Sequence, residues 1–417
     1  MAEHQEGAIF QALTGSKAKA GQRDARNGLR HMAALSMTKV ADGLIDPKLV
    51  LSWLLNAIGA PAYLTGLLVP IREAGALLPQ LALAGWVRRM KYRKWAWIAG
   101  SAGQGVSAAG IALAALTLQG AAAGLVICGL LAVLAVSRAC ASVSYKDVLG
   151  KTVAKTRRGA VTGVAGSASA VGVVVFALLL MSGWLQSVSA LAVAVGLAAC
   201  LWLGAALLFS TLKEDASEDR DAPAIDLSPL REDAQFRRYI LVRGALTATA
   251  LAPPYLVLLS GGDGSALGKL GALVLASAAA SFVSSYVWGR LSDRSSRWVL
   301  ALCGFGGALA IGAAPLAAWA GVAQHQFVIP AILFTLMLAY HGVRQGRSTY
   351  LVDMSPEDER STYAALANTV IGVLLLISGA LGGGLSVLCP VAALCGFAAL
   401  SAVGGMLALG LREVEST

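Results

Sequence analysis

The chain has 417 residues, of which 57% are hydrophobic and only 13% charged, with a formal net charge of +10. A water-soluble domain carries about a quarter of its residues charged, so lipid is the solvent for most of this surface. The excess of Lys and Arg is concentrated in short loops, as a topology signal requires, and gives nucleic acid no role.

The N-terminal segment, 1–36, is polar and basic and lacks an apolar run of signal-peptide length; it is expected to stay in the cytoplasm. A ruler of about 20 apolar residues per bilayer crossing then marks twelve spans: 37–60, 63–87, 95–118, 120–144, 160–182, 186–210, 238–260, 266–290, 297–320, 325–346, 361–384 and 386–410. The fold class is therefore an all-α integral membrane protein with twelve transmembrane helices in two six-helix bundles. The first bundle covers 37–210, a hydrophilic linker 211–237, the second bundle 238–411 and a tail 412–417. Both termini and the linker are expected on the cytoplasmic side of a cell's inner membrane, because every even-to-odd loop is basic.

Ionisable residues inside a span are expensive and are functional candidates by default. In the first span, Asp42 and Asp46 lie one helical turn apart, on a face that continues through Leu49, Trp53 and Asn56. Two readings stand: the carboxylates look into a central cavity, or the membrane begins at Leu49 and Asp46 caps the helix before Pro47. In the second span, Arg72 and Glu73 point to different sides. One or both should find a partner on another helix, with Asp42 and Asp46 as possible mates; the alternative has Arg72 snorkelling to the outer interface.

The loop after the second span, "GWVRRMKYRKW", starts at Gly85 and carries Arg88, Arg89, Lys91, Arg93 and Lys94. Arg138 lies late in the fourth span, ahead of a second basic stretch ending at Arg158. In the seventh span Arg243 is a cavity candidate, and Pro253 and Pro254 suggest a kink, since a spanning helix tolerates proline where neighbours satisfy the freed carbonyl. The eighth span ends on a polar island, "WGRLSDRSSRW" (Trp288 to Trp298). Arg344, Arg347 and Tyr350 at the end of the tenth span read as structural groups serving Asp353 or nearby helix ends.

Gly289, Asp293, Arg294 and Arg297 fit the G-x-x-x-D-R-x-x-R pattern of the major facilitator superfamily, which the chain resembles over nearly all its length after residue 35. The resemblance implies two six-helix halves related by an axis along the membrane normal, a monomer, and a cytoplasmic latch formed by this loop. The first-half copy keeps Gly85, Arg93 and Lys94 but has Arg89 and Met90 where the family has its acid and arginine, which puts a symmetric pair of latches in doubt. Arg138 is similar in place to the fourth-span arginine of the superfamily's proton-coupled antiporters, without the rest of their motif.

No nucleotide-binding loop is present, and the four histidines (His4, His31, His325, His341) form no metal-binding pair. The six cysteines lie in apolar stretches as packing residues. No cofactor or enzymatic activity is expected. The expected function is secondary transport of a small organic solute by alternating access, in the version of proton-coupled export. An uptake permease or facilitator and a non-transporting, carrier-like sensor are the alternatives. The expected partners are the solute, protons and the bilayer. Substrate or proton-coupling candidates are Asp42, Asp46, Arg72, Glu73, Arg138 and Arg243; gate candidates are Gly85, Arg93, Gly289, Asp293, Arg294 and Arg297.

Overall fold

A computed structural model describes residues 9–13, 21–182, 187–217, 227–260, 267–292, 294–356 and 359–414. Every regular element among them is helical. Ten are long and apolar enough to cross a membrane. The first span falls short because its leading half is polar, and the eighth because its described apolar stretch is limited to Lys269–Ser284.

The first span begins earlier than its apolar residues suggest: α1 runs over Gln22–Leu44 and α2 over Val50–Ala57. The expected continuous face from Asp42 to Asn56 is absent, because the chain leaves the helix between them. Pro47 removes a backbone donor and clashes with the preceding turn, so a break forms at its position.

The second span is α3 (Ala62–Leu77) and α4 (Gln80–Arg88), interrupted at Pro79. The third is α5 (Lys94–Thr117). The fourth, α6, extends over Gly120–Thr152, two turns beyond its expected end; Lys146 and Lys151, read as loop residues, are helical. The fifth and sixth are α7 (Arg158–Met181) and α8 (Val188–Ser210).

In the second half, the seventh span is three short pieces, α9 (Ala234–Ala245), α10 (Ala248–Leu251) and α11 (Pro253–Leu259). Pro253 and Pro254 open α11, the position where a missing N–H matters least. The remainder are α12 (Leu267–Ser292), α13 (Ser296–Trp319), α14 (Val328–Met354), α15 (Arg360–Leu388) and α16 (Pro390–Leu409).

Within each half the same packing recurs, with α5 against α6 and α8, and α13 against α14 and α16. The halves meet through α3 on α15 and α7 on α12. Lipid offers little hydrophobic drive for helix association, so close approach through small residues does the work. A Cβ on Gly271 of α12 would lie 2.6 Å from Met181 Cγ and 3.0 Å from the Ala177 carbonyl of α7. Gly379 of α15 sits directly against Pro70 of α3, and Gly66 of α3 against the Tyr255 hydroxyl.

All these contacts lie toward one end of the molecule, opposite the chain termini. Trp53, Leu54, Phe176, Leu180, Tyr255, Leu256, Leu270 and Phe397 are buried there. Gly59 (φ 75°) and Gly120 (φ 61°) make tight turns that other residues would strain, and the Gly120 amide donates to the Ile58 carbonyl at 2.8 Å. The halves are thus packed together at that end, and α15 also reaches Leu77 and Leu78 at the end of α3.

Candidate functional site

The break in the first span builds the site. Asp46 Oδ1 accepts the backbone N–H groups of Lys48 (2.8 Å) and Leu49 (3.1 Å), and the Ser52 hydroxyl donates to the Pro47 carbonyl at 2.7 Å. Asp46 therefore caps the turn before α2, half-buried beside the site and not as the exposed helix cap of the second reading. The capped turn holds Lys48, 8% exposed, across the molecular centre.

Two ion clusters follow. Asp42 on α1 accepts from Arg72 Nη2 on α3 at 2.8 Å and from Arg138 Nη1 on α6 in a shorter contact. Lys48 Nζ stands 3.6 Å from Glu73 Oε1 and donates to the Tyr340 hydroxyl on α14 at 2.9 Å. The second contact joins the two halves. Removing one member of a buried ion pair costs about 3 to 5 kcal/mol; with 26% of the Asp42, 35% of the Glu73 and 40% of the Arg138 side chain exposed, these clusters fall at or below the low end of that range, and they hold α1, α3 and α6 in register.

Below Glu73, a narrow cleft lies between the halves, with a cavity volume of about 30 Å³. Its polar lining comprises Glu73 from α3, Arg243 from α9, Thr247 and Thr249 beside α10, and Tyr340, Arg344 and Arg347 from α14. Arg243 is 5% exposed, donates from Nη2 to Asn368 Oδ1 at 2.8 Å, and leaves Nε without a partner. Asn368 in turn donates to Gln80 Oε1 at 3.3 Å, a second link between α15 and the first half. Arg344 is exposed at the cleft mouth.

On the face carrying the termini, each half has a clasp at the start of its third helix. Glu214, just past α8, accepts the backbone N–H of Arg93 (3.1 Å) and of Lys94 (2.8 Å) at the start of α5. An acid suits the positive end of a helix dipole. Arg93 Nη1 pairs with Asp147 of α6 at 2.8 Å, and Lys94 Nζ donates to the Ser210 and Leu212 carbonyls. The second half repeats the plan: Arg297 at the start of α13 pairs with Glu413 at 3.1 Å and donates to the Leu411 carbonyl at 3.3 Å, just past α16.

Of the residues singled out in the sequence, the structure brings Asp42, Arg72, Arg138 and Glu73 together, with Asp46 capping beside them. Arg243 stands apart across the cleft. Gly85 lies in α4 and Gly289 in α12, while Arg294 is exposed at the end of α12 and Asp293 lies outside the described residues. Arg344 and Arg347, read as structural, line the cleft; Tyr350 is structural, with its hydroxyl donating to the Arg412 carbonyl. Lys48 and Tyr340 were passed over, although Lys48 is an ionisable residue inside a span and met the same criterion as Asp46.

No family model and no curated protein matches the chain. Solved structures do match in fold. A POT family transporter in complex with a thioalcohol-conjugated peptide superposes with a TM-score of 0.70 at 11% identity, covering 92% of this chain and 96% of that one. A D-xylose-proton symporter gives 0.68 at 12% identity, covering 93% and 98%. The nucleoside transporter NupG gives 0.67 at 11% identity, covering 92% and 98%. The chain thus has the twelve-helix fold of the major facilitator transporters.

Proposed function

We propose that this protein is a secondary active transporter that moves a small organic solute by alternating access, coupled to protons, with export as its direction. The observation that carries the reading is the Asp42 cluster. One carboxylate bound by Arg72 and Arg138 sits beside the Lys48–Tyr340 bond that joins the halves. A proton on Asp42 would neutralise the only acid within ion-pair distance of both arginines among the described residues, releasing α1 from α3 and α6. That is how proton binding would be linked to rocking of the halves.

The export direction rests on the carboxylates inside the spans, and the basic loops put the terminus-bearing face in the cytoplasm. The clasps at Glu214 and Glu413 hold the third helix of each half to its sixth, so each half moves as a unit. Transport by a monomer in the inner membrane, with both termini cytoplasmic and the linker over 211–237, completes the reading.

The test uses inside-out vesicles from cells making the wild type or Asp42→Asn at equal levels. The interior is acidified, a panel of metabolites and drugs is added, and interior pH is followed with a fluorescent dye. A compound that releases protons in the wild type and not in the variant is the expected result. Solute movement that neither consumes a proton gradient nor changes in Asp42→Asn would overturn the coupling.

A further inference from the structure

The charges around the cleft do not balance. Three carboxylates, Asp42, Asp46 and Glu73, share the region with seven cations: Lys39, Lys48, Arg72, Arg138, Arg243, Arg344 and Arg347. All three acids belong to the first half and are already engaged there, Asp42 by two arginines, Asp46 by backbone amides and Lys48, and Glu73 by Lys48.

The second half contributes no acid to the cleft lining, only cations. Among the described residues, no carboxylate lies within ion-pair distance of Arg243, Arg344 or Arg347. Arg243 is the decisive case, because the residue is 5% exposed and its side-chain hydrogen-bond partners, Asn368 and Tyr239, are both neutral. A buried cation without a counter-charge is a strongly unfavourable arrangement unless something else supplies the charge. Its neighbours supply no full charge: the Tyr239 phenol favours the cation and hydrogen-bonds to it, while Arg347 repels. A planar guanidinium fork matches a carboxylate or phosphate oxygen pair, and here two more forks stand along the same wall.

We propose that the cleft receives a small organic anion whose carboxylate or phosphate groups are bound by Arg243 and Arg347, with Arg344 at the mouth drawing it in. The anion supplies the counter-charge that the second half lacks. Glu73 and Tyr340 line the opposite and upper walls, where Glu73 turns away a second negative group and favours anions whose charge is gathered at one end. This identification rests on the transporter reading for the solute's movement, but its binding does not.

The test is made on the full-length protein in detergent at constant ionic strength. Succinate, citrate, glycerol phosphate and inorganic sulfate serve as probes, with choline chloride and glucose for comparison, and both thermal melting and binding are followed. The expected result is that at least one organic anion raises the melting temperature and binds, and that Arg243→Gln and Arg347→Gln each weaken that binding tenfold or more while Arg243→Lys loses less. Sulfate binding in place of every organic anion would make the site an inorganic oxyanion site and overturn the proposal.

A second readout separates binding from a structural role. Without ligand, Arg243→Gln should melt no lower than the wild type, because it removes a cation that nothing in the chain balances. A large loss of stability, or anion binding equal in all variants, would overturn the proposal. If Arg243→Gln does not fold, the partly exposed Arg347→Gln still decides the binding question. Proton-coupled movement of a cation or a neutral solute alone would sink the anion and leave the transporter standing; anion binding without any flux would do the reverse.

Discussion

The two halves share a plan and differ in their charges. In the first, every buried ionic group has an answer within the same half: Asp42 holds Arg72 and Arg138, Lys48 holds Glu73, and Glu214 holds the start of α5. In the second, the cleft wall presents Arg243, Arg344 and Arg347 with no acid of that half beside them, and the one acid facing them, Glu73 of the first half, is engaged by Lys48. The lesson is a division of labour between duplicated bundles. A half whose acids are all engaged internally can respond to a proton by breaking such a pair, whereas a half without acids waits for charge from outside.

That contrast can be broken most directly at Asp42. Asp42→Asn leaves Arg72 and Arg138 facing each other without an acid and should lower stability by about 3 kcal/mol. Melting of the purified variant measures this, and Asp42→Asn combined with Arg72→Gln should recover a good part of it. Equal melting of wild type and Asp42→Asn would mean the first half is no better balanced than the second.

Next comes the end where the halves pack together. Gly379→Val places a side chain against Pro70 where α15 crosses α3, and overpacking of this kind costs about 1 to 3 kcal/mol. The same substitution at Gly384, where a Cβ meets nothing, should be close to neutral in the same melting assay.

A smaller effect sharpens the comparison of the two clasps. The Glu214 side chain is fully buried and accepts two backbone N–H groups, whereas that of Glu413 is 28% exposed. Glu214→Gln should therefore lose about 1 to 2 kcal/mol and Glu413→Gln at most about 0.5 kcal/mol. Equal losses in denaturant titrations would show that the clasps are equivalent after all.

The smallest effect is on pH dependence. His31, ahead of the apolar part of the first span, is buried between Tyr145 and Phe209 with Nε2 2.8 Å from the Thr152 hydroxyl, and burial holds its pKa at about 3. The unfolded chain takes up a proton there near the ordinary histidine value while the folded one does not. Its contribution is thus complete above that value and is lost as pH falls toward 3. Between pH 7 and 5.5 this amounts to about 1 kcal/mol, and the difference in melting between wild type and His31→Gln should shrink by that amount over the interval.

Much of the architecture was legible because a bilayer reduces the choices: apolar runs of one length, separated by loops whose basic residues alternate. The spans that departed from expectation did so for local reasons. Pro47 broke the first, and the fourth ran on through Lys146 and Lys151 because those side chains reach acids at Asp147 and Glu214 or solvent without leaving the helix. The first-half members of the site were visible as charges in lipid, and the Arg72–Asp42 pairing followed from their need for partners. Lys48 was not, since its role depends on a turn that only the capped break creates. The place of Arg344 and Arg347 in the cleft lining was not legible, because a charge near a span's end looks the same in sequence whether it faces water, a helix terminus or a cleft.

The buried guanidinium of Arg243, whose partners are both neutral, also bears on the empty protein. For the halves to rock over a vacant cleft, Arg344 and Arg347 would have to shed water alongside a group already deprived of it. With an anion aboard, the same closure brings opposite charges together. The vacant return is then the slow stroke, and traffic runs fastest when each departure is matched by an arrival. Labelled anion should leave preloaded vesicles several times faster when unlabelled anion waits on the far side, and Arg243→Gln should erase that advantage.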